Sequence, residues 1–263
     1  GNWNRTTNYE GIISGGAFGV FKITVEMDYS GSNDDDTVLG STRNDTLRGN
    51  NGNDQIYSYE FNDKLYGGNG NDTLDGGSGN DTLDGGSGND TLIGGAGTDT
   101  AQFSSDIYNY TVWKSADNQT IKITDNTANQ DGTDSLTTIE NLTFNSTTYT
   151  ASDLRNGAFQ SSDGYKLIGS SDTYTLKSRR GSSFSDDSSS LWDITAAKET
   201  ASGFDVLLEG SDGTSKEGYN YIWSTNSSGV IASGNGWLTD VDMTSGGYES
   251  IFNIDFNKNG IID

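Results

Sequence analysis

An aspartate returns at every ninth position through the first part of the chain: Asp36, Asp45, Asp54, Asp63, Asp72, Asp81, Asp90 and Asp99. Two residues after each comes an apolar position, Val38, Leu47, Ile56, Leu65, Leu74, Leu83, Leu92 and finally Ala101. Four units also carry two leading glycines and a third two places on. They are Gly67-Gly68-Asn69-Gly70 before Asp72, Gly76-Gly77-Ser78-Gly79 before Asp81, Gly85-Gly86-Ser87-Gly88 before Asp90, and Gly94-Gly95-Ala96-Gly97 before Asp99. Residues 49–54, with Gly49, Asn51 and Asp54, stay close to that pattern; 31–36, 40–45 and 58–63 keep little beyond the aspartate. Glycine reaches positive φ at no steric cost, so six residues can turn tightly and aim carbonyl oxygens inward. The three residues that follow make a short strand whose middle, apolar residue faces the interior.

Charge and composition narrow the chemistry. The 263 residues set 38 Asp+Glu against 15 Lys+Arg, a net charge of −23, and include no His, Cys or Pro. Disulfides and Cys- or His-ligated zinc, iron or copper sites are therefore excluded. So are Ser-His-Asp and Cys-His constellations. Such an acidic chain repels phosphate, which speaks against nucleic acid as a partner. What remains favourable is a hard cation, and many flexible carbonyl ligands suit calcium better than magnesium. Catalysis would fall to carboxylates, but Glu10, Glu26, Glu60, Glu140, Glu199, Glu209, Glu217 and Glu249 form no recognisable pair, so the chain reads as non-enzymatic. Hydrophobic content is 30%, against about 45–50% in globular domains, which argues against one large core. No apolar run approaches the ~18–20 residues that span a bilayer, and Gly1–Arg5 does not open as a secretory leader.

The unit G-G-x-G-x-D-x-U-x, with U apolar, resembles the calcium-binding nonapeptide of the RTX family, and the resemblance covers residues 31–101. It implies a right-handed parallel β-roll in which two nonapeptides form one coil. Calcium would sit between a loop and the loop two repeats later. One edge would carry the loops ending at Asp36, Asp54, Asp72 and Asp90, the other those ending at Asp45, Asp63, Asp81 and Asp99. The best sites are 49–54 with 67–72, 67–72 with 85–90, and 76–81 with 94–99, giving three or more ions. Loop 58–63, Ser58-Tyr59-Glu60-Phe61-Asn62-Asp63, lacks glycine and is expected to weaken its edge. One apolar residue per nonapeptide cannot offset the entropy of a glycine-rich chain, so metal binding must supply much of the folding free energy.

The flanks read as caps. Phe21–Tyr29 alternates apolar and polar residues and predicts a half-buried strand over the open end, within an N-terminal segment 1–30. Within 102–160, Tyr110–Trp113 and Ile121–Ile123 predict two strands. Asp131-Gly132-Thr133-Asp134, followed by Leu136, Ile139-Glu140, Leu142 and Phe144, resembles the segment that closes RTX rolls. That resemblance implies Asp134 and Glu140 in the last calcium site. In strict register Tyr108 would follow Asp90, so either Asp134 or Asp106 must stand in.

Residues 161–263 lose the nonapeptide period and predict a small antiparallel β domain, with Ala196–Glu199 and Tyr248–Phe252 as helical turns at most. Trp192-Asp193-Ile194, Gly203–Leu208, Tyr221-Ile222-Trp223, Trp237 and Glu249-x-x-Phe252-x-x-Asp255 resemble the tryptophan-rich domain that accompanies RTX repeats in bacterial exoproteins. Trp223 and Trp237 are candidates for sugar stacking, although tryptophans more often fill a core. At the end, Asp255, Asn257, Asn259, Gly260 and the carbonyl of Ile261 match positions 1, 3, 5, 6 and 7 of an EF-hand loop, without the acid at 12. The whole reads as all-β: a calcium-dependent structural or adhesive module of a secreted or cell-surface bacterial protein, exported by type I secretion and folding outside the cell. The alternative is a carbohydrate-binding accessory of a polysaccharide-active exoprotein. Expected partners are calcium, cell-surface polysaccharide or further copies of the chain.

Overall fold

A computed structural model describes residues 2–3, 26–115, 119–127, 131–161, 164–169, 172–178, 180, 182–184, 192–211, 214–252 and 254. Two compact units emerge: Gly1–Asp106 with Lys122–Ala151, and Ile107–Ile121 with Ser152–Asp263. The segment 102–160 is thus divided between the units.

The first unit is a parallel β-solenoid. In one sheet the strands Asp28–Ser30, Thr46–Asn51, Lys64–Asn69, Thr82–Ser87, Thr100–Phe103 and Asn141–Phe144 pair in parallel, in that order. In the other, Thr37–Leu39, Gln55–Tyr57, Thr73–Asp75, Thr91–Ile93 and Thr133–Thr137 do the same. Register follows the repeat. Leu47 pairs Leu65, Leu65 pairs Leu83, Leu83 pairs Ala101 and Ala101 pairs Leu142. Across the roll, Val38, Ile56, Leu74, Leu92 and Leu136 form the matching column. Both columns are buried, so the core is a double row of single side chains. The far end is thicker, where Phe103 stacks on Phe144 at 5.0 Å.

At the N-terminal end the expectation of a capping strand changes. Asp28–Ser30 pairs in parallel with Thr46–Arg48 and so adds another rung, with Tyr29 opposite Leu47. Asn2–Trp3 pairs antiparallel with that rung. Residues 21–25 of the expected strand lie outside the described residues.

The second unit contains two antiparallel sheets. Leu154–Arg155, Ala158–Ser161, Gly164–Ile168 and Thr173–Thr175 form one; Trp192–Thr200, Gly203–Gly210, Asn220–Thr225 and Ile231–Gly234 form the other. One face of the latter contributes Ile194, Ala197, Phe204, Val206 and Leu208 to a core shared with Ala158, Tyr165, Leu167 and Leu176. Its opposite face sets Ala196, Leu207 and Ile222 against Met243 and Phe252 of the helices Asp240–Ser245 and Tyr248–Phe252. Burial on both faces explains the unbroken apolar run Val206-Leu207-Leu208, which a one-sided strand would not tolerate. Ala196–Glu199 is strand, not a helical turn: eight residue pairs link Trp192–Thr200 to its neighbour, around an irregularity between Ile194 and Ala196. Pairing and two-sided burial outweigh the helix propensity of two alanines.

Candidate metal centre

From Asp45 onward, each aspartate of the repeat turns its two carboxylate oxygens to different tasks. One oxygen accepts a backbone N–H from the residue 18 positions earlier. Asp36 N donates to Asp54 Oδ1 at 2.7 Å, Asp54 N to Asp72 at 2.7 Å, and Asp72 N to Asp90 at 2.8 Å. On the other edge Met27 N donates to Asp45 Oδ1 at 2.7 Å, Asp45 N to Asp63 at 2.6 Å, Asp63 N to Asp81 at 2.8 Å and Asp81 N to Asp99 at 2.8 Å. An outer row runs beside these ladders: Asn71 N donates to Asn53 Oδ1, Asn89 N to Asn71, and Asn80 N to Asn62, each at 2.8 Å.

The second oxygen is the one without a task. Oδ2 of Asp54, Asp63, Asp72, Asp81, Asp90 and Asp99 is buried and accepts no hydrogen bond. Six such orphans in register are not an accident of packing, because a buried acceptor without a donor costs about 1–3 kcal/mol. Five of the six orphans, all but Asp63, belong to loops that narrow around glycine. A Cβ on Gly49 would strike Asp54 Oδ2 and lie 2.6 Å from the Gly67 carbonyl oxygen. One on Gly67 would strike Asp72 Oδ2 and lie 2.5 Å from the Gly85 carbonyl; one on Gly76 would lie 2.5 Å from Asp81 Oδ2 and 2.8 Å from the Gly94 carbonyl. A carboxylate oxygen and a carbonyl oxygen of the loop two repeats later therefore converge with no proton between them. Among the described residues no three carboxylates group to hold a metal on their own. Backbone carbonyls must complete any coordination sphere, which is the donor set calcium accepts.

Residues 30–65 and 66–101 match the family model of the RTX calcium-binding nonapeptide repeat, four copies. These residues are RTX repeats. Among solved structures the chain is similar to the extracellular lipase LipA from Serratia marcescens, at 16% identity and a TM-score of 0.20, over 56% of this chain and 19% of that one. The chain thus spans less than a fifth of the lipase's length. No curated protein matches the chain.

The RTX loops are not equivalent. In the first two, serine stands where the four full repeats have glycine and supplies the missing donor. Ser32 N and Oγ donate to Asp36 Oδ2 at 2.5 and 2.8 Å. Ser41 N donates to Asp45 Oδ2 at 2.5 Å, and its Oγ to Oδ1 at 2.8 Å. Asp36 and Asp45 lie in the ladders, but their Oδ2 atoms are already satisfied. The two Ser32 hydrogen bonds hold the Asp36 carboxyl below the usual carboxylate range. The later aspartates move the other way. Burial, with Asp neighbours adding repulsion, pushes Asp72 and Asp81 up to about 6 and Asp63 and Asp90 to about 7.

Loop 58–63 keeps the RTX geometry without glycine. Tyr59 and Phe61 take positive φ of 77° and 83°, and Asp63 Oδ2 is orphaned like the rest. The expected weakness therefore appears as backbone strain and not as a missing oxygen. Gly68, Gly70, Gly77, Gly79, Gly86, Gly88, Gly95 and Gly97 hold the same left-handed positions elsewhere. Asn69, Ser78 and Ala96 lie between them; Ser78 bridges Ala96 in parallel across the edge. Asn51 and Asn69 join through Asn69 Nδ2 donating to Asn51 Oδ1 at 2.6 Å, and Ser87 accepts at its carbonyl from Gly70 N at 2.8 Å.

At the closing end, Asp134 and not Asp106 takes the next ladder position. Asp90 N donates to Asp134 Oδ1 at 2.8 Å across 44 residues, 44 − 18 = 26 more than the regular step. On the opposite edge Asp99 N donates to Glu140 Oε2 at 2.8 Å. Asp106 instead accepts from Asn145 Nδ2 at 3.2 Å. Two further acids, Asp84 and Asp131, bear on this end. Burial raises Asp84, with Asp131 adding repulsion, and burial lifts Asp134 to about 8, with Asp90, Asp131 and Asp84 adding repulsion. Their signal in the sequence is faint: Asp84 stands after Leu83 as Asp75 does after Leu74, where other units have Arg48, Tyr66 or Ile93.

In the second unit the two candidate tryptophans separate. Trp223 is half-buried against the inner core, its ring centroid 4.8 Å from that of Phe184. Trp237 is 46% exposed. Asp255, Asn257, Asn259 and Ile261 lie outside the described residues. Glu249, which precedes that loop, is buried and accepts from Thr244 Oγ1 at 2.9 Å.

Proposed function

We propose that the roll is a calcium-driven folding module of a secreted protein, whose role is structural. The six buried, donorless Oδ2 atoms set against backbone carbonyls carry this reading. Bound calcium would draw on Asp54, Asp63, Asp72, Asp81, Asp90 and Asp99, with carbonyls of the glycine loops around them, three ions or more in all. Asp134 and Glu140 end the two ladders and would close the last sites. Asp36 and Asp45, satisfied by serine, contribute register more than coordination. Asp255, Asn257, Asn259 and the Ile261 carbonyl are proposed as a separate, weaker calcium loop, because two asparagines replace acids there.

Before calcium arrives, the carboxylates repel one another and the thin core cannot hold the coils. Such a roll stays unfolded where calcium is scarce and folds where it is millimolar. That behaviour suits export through a narrow type I channel, followed by folding outside the cell. Adhesion, surface-layer assembly or attachment to polysaccharide are the roles we assign to the folded module. Among the described residues no helix is long and apolar enough to cross a membrane.

Native mass spectrometry of the full chain in millimolar calcium tests the proposal by counting ions. Three or more bound ions are expected, with fewer in Asp72→Asn and Asp81→Asn. A chain that stays folded and binds none contradicts it.

A further inference from the structure

The second unit holds an aromatic group that neither of its cores uses. Trp237 is 46% and Tyr219 43% exposed. Trp237 is the only exposed tryptophan among those whose side chains are described. The edges of Tyr219 and Tyr221 meet its ring at centroid distances of 6.4 and 5.3 Å, and Lys216 Nζ stands 3.8 Å over it.

The backbone that carries the indole is held firmly on both sides. Leu238, the next residue, exchanges two backbone hydrogen bonds with Asn220, at 2.7 and 2.9 Å, and packs on the helix-side core. Thr239 then caps the helix Asp240–Ser245: its side chain accepts from Asp242 N, and its own N–H donates to Asp242 Oδ2 at 2.8 Å. On the other side Asn235 N donates to the Ile222 carbonyl at 3.0 Å. Tyr221, which orients the ring, is itself packed on the inner core. A large ring fixed this way loses little entropy when a ligand settles on it.

We propose that Trp237, flanked by Tyr219 and Lys216, is a binding site for a sugar ring of a neutral polysaccharide. A pyranose presents an apolar C–H face to an indole and hydroxyls at its rim. Lys216 Nζ lies over the indole, so a stacking sugar must displace it to the rim, where its three N–H groups can donate, as can the Tyr219 hydroxyl. Cation–π contact alone is ordinary surface packing; the second exposed ring and the fixed backbone are what suit a ligand. Neutral sugar is favoured over uronate because a chain of net charge −23 repels polyanions. The site does not depend on the calcium reading of the first unit.

The test is an array of neutral glucan and mannan oligosaccharides beside uronate oligosaccharides, probed with the full chain in millimolar calcium. Binding to a neutral probe is expected, weakened about tenfold by Trp237→Ala, as for an anchor worth more than 1 kcal/mol. Trp223→Phe, which changes only the half-buried ring, should leave it unchanged. Far-UV circular dichroism and ion counting on the same samples separate a failed sugar site from a failed calcium module. If Trp237→Ala does not fold, Tyr219→Ala and Lys216→Gln decide, each expected to weaken binding several-fold. Absence of any neutral ligand, binding to uronates alone, or a folded Trp237→Ala with undiminished binding overturns the proposal.

Discussion

The two units bury very different things. The roll hides one apolar side chain per nonapeptide and, beside it, one carboxylate. The second unit hides apolar residues on both faces of the sheet that runs from Trp192 to Gly234, with helices over one of them. A hydrophobic core offsets chain entropy in water of almost any composition. A row of buried carboxylates does the reverse until a cation joins it. On the reading proposed above, one chain would combine a unit whose fold depends on calcium with a unit whose fold does not.

The sharpest way to break this contrast is within the roll itself. Asp72→Asn keeps an oxygen for the Asp54 N–H but removes the charge. It should raise the calcium needed for half-folding about tenfold, equal to about 1.4 kcal/mol, as read by circular dichroism. Asp36→Asn, where Ser32 already serves the carboxylate, should change stability by about 0.5 kcal/mol or less. Equal effects would remove the distinction between orphaned and serine-capped loops.

Acidity sharpens the comparison next. Asp63, Asp72, Asp81, Asp90 and Asp134 are raised to between about 6 and about 8 in the ion-free roll, from 3.8. A folded-state value above the unfolded one means that the folded form holds more protons. Stability from this source is full below about 3.8 and is lost as pH rises through about 6 to 8. In calcium-free buffer, acidification from about pH 8 to 5 should therefore restore strand signal to the roll. In millimolar calcium the ion replaces those protons and the signal should stay flat over the same range. A calcium-free sample that loses order on acidification contradicts the assignment.

The smallest effect concerns loop 58–63. Tyr59→Gly and Phe61→Gly relieve left-handed strain of about 1–3 kcal/mol, offset in part by the greater freedom of glycine in the unfolded chain. A gain of about 1 kcal/mol or less per site is expected, seen as a higher melting temperature in calcium. Destabilisation by either change would show that the aromatic side chains support the roll.

Legibility differed along the same divide. The period of nine placed the coils, the buried column from Val38 to Ala101 and the two aspartate edges, because a solenoid's contacts repeat at a fixed offset. It could not settle the closing end, since the hydrogen bond from Asp90 to Asp134 skips 26 residues beyond that offset (44 − 18). Nor did it distinguish Asp36 and Asp45 from their successors, because the difference lies in Ser32 and Ser41 at a glycine position. In the second unit a small antiparallel β domain was legible, but the full course and setting of its strands were not. Ala196–Glu199 looked helical because local propensity is silent about a sheet buried on both sides. Trp223 and Trp237 looked alike until packing placed one against Phe184 and left the other 46% exposed.

Hydrogen–deuterium exchange of the full chain, with calcium and after its removal by EDTA, tests the central claim most directly. Removal of calcium is predicted to abolish protection across residues 31–101 and 133–144 while leaving 192–210 and 220–225 protected. Protection of the roll that survives EDTA, or its loss in both units together, would contradict the account.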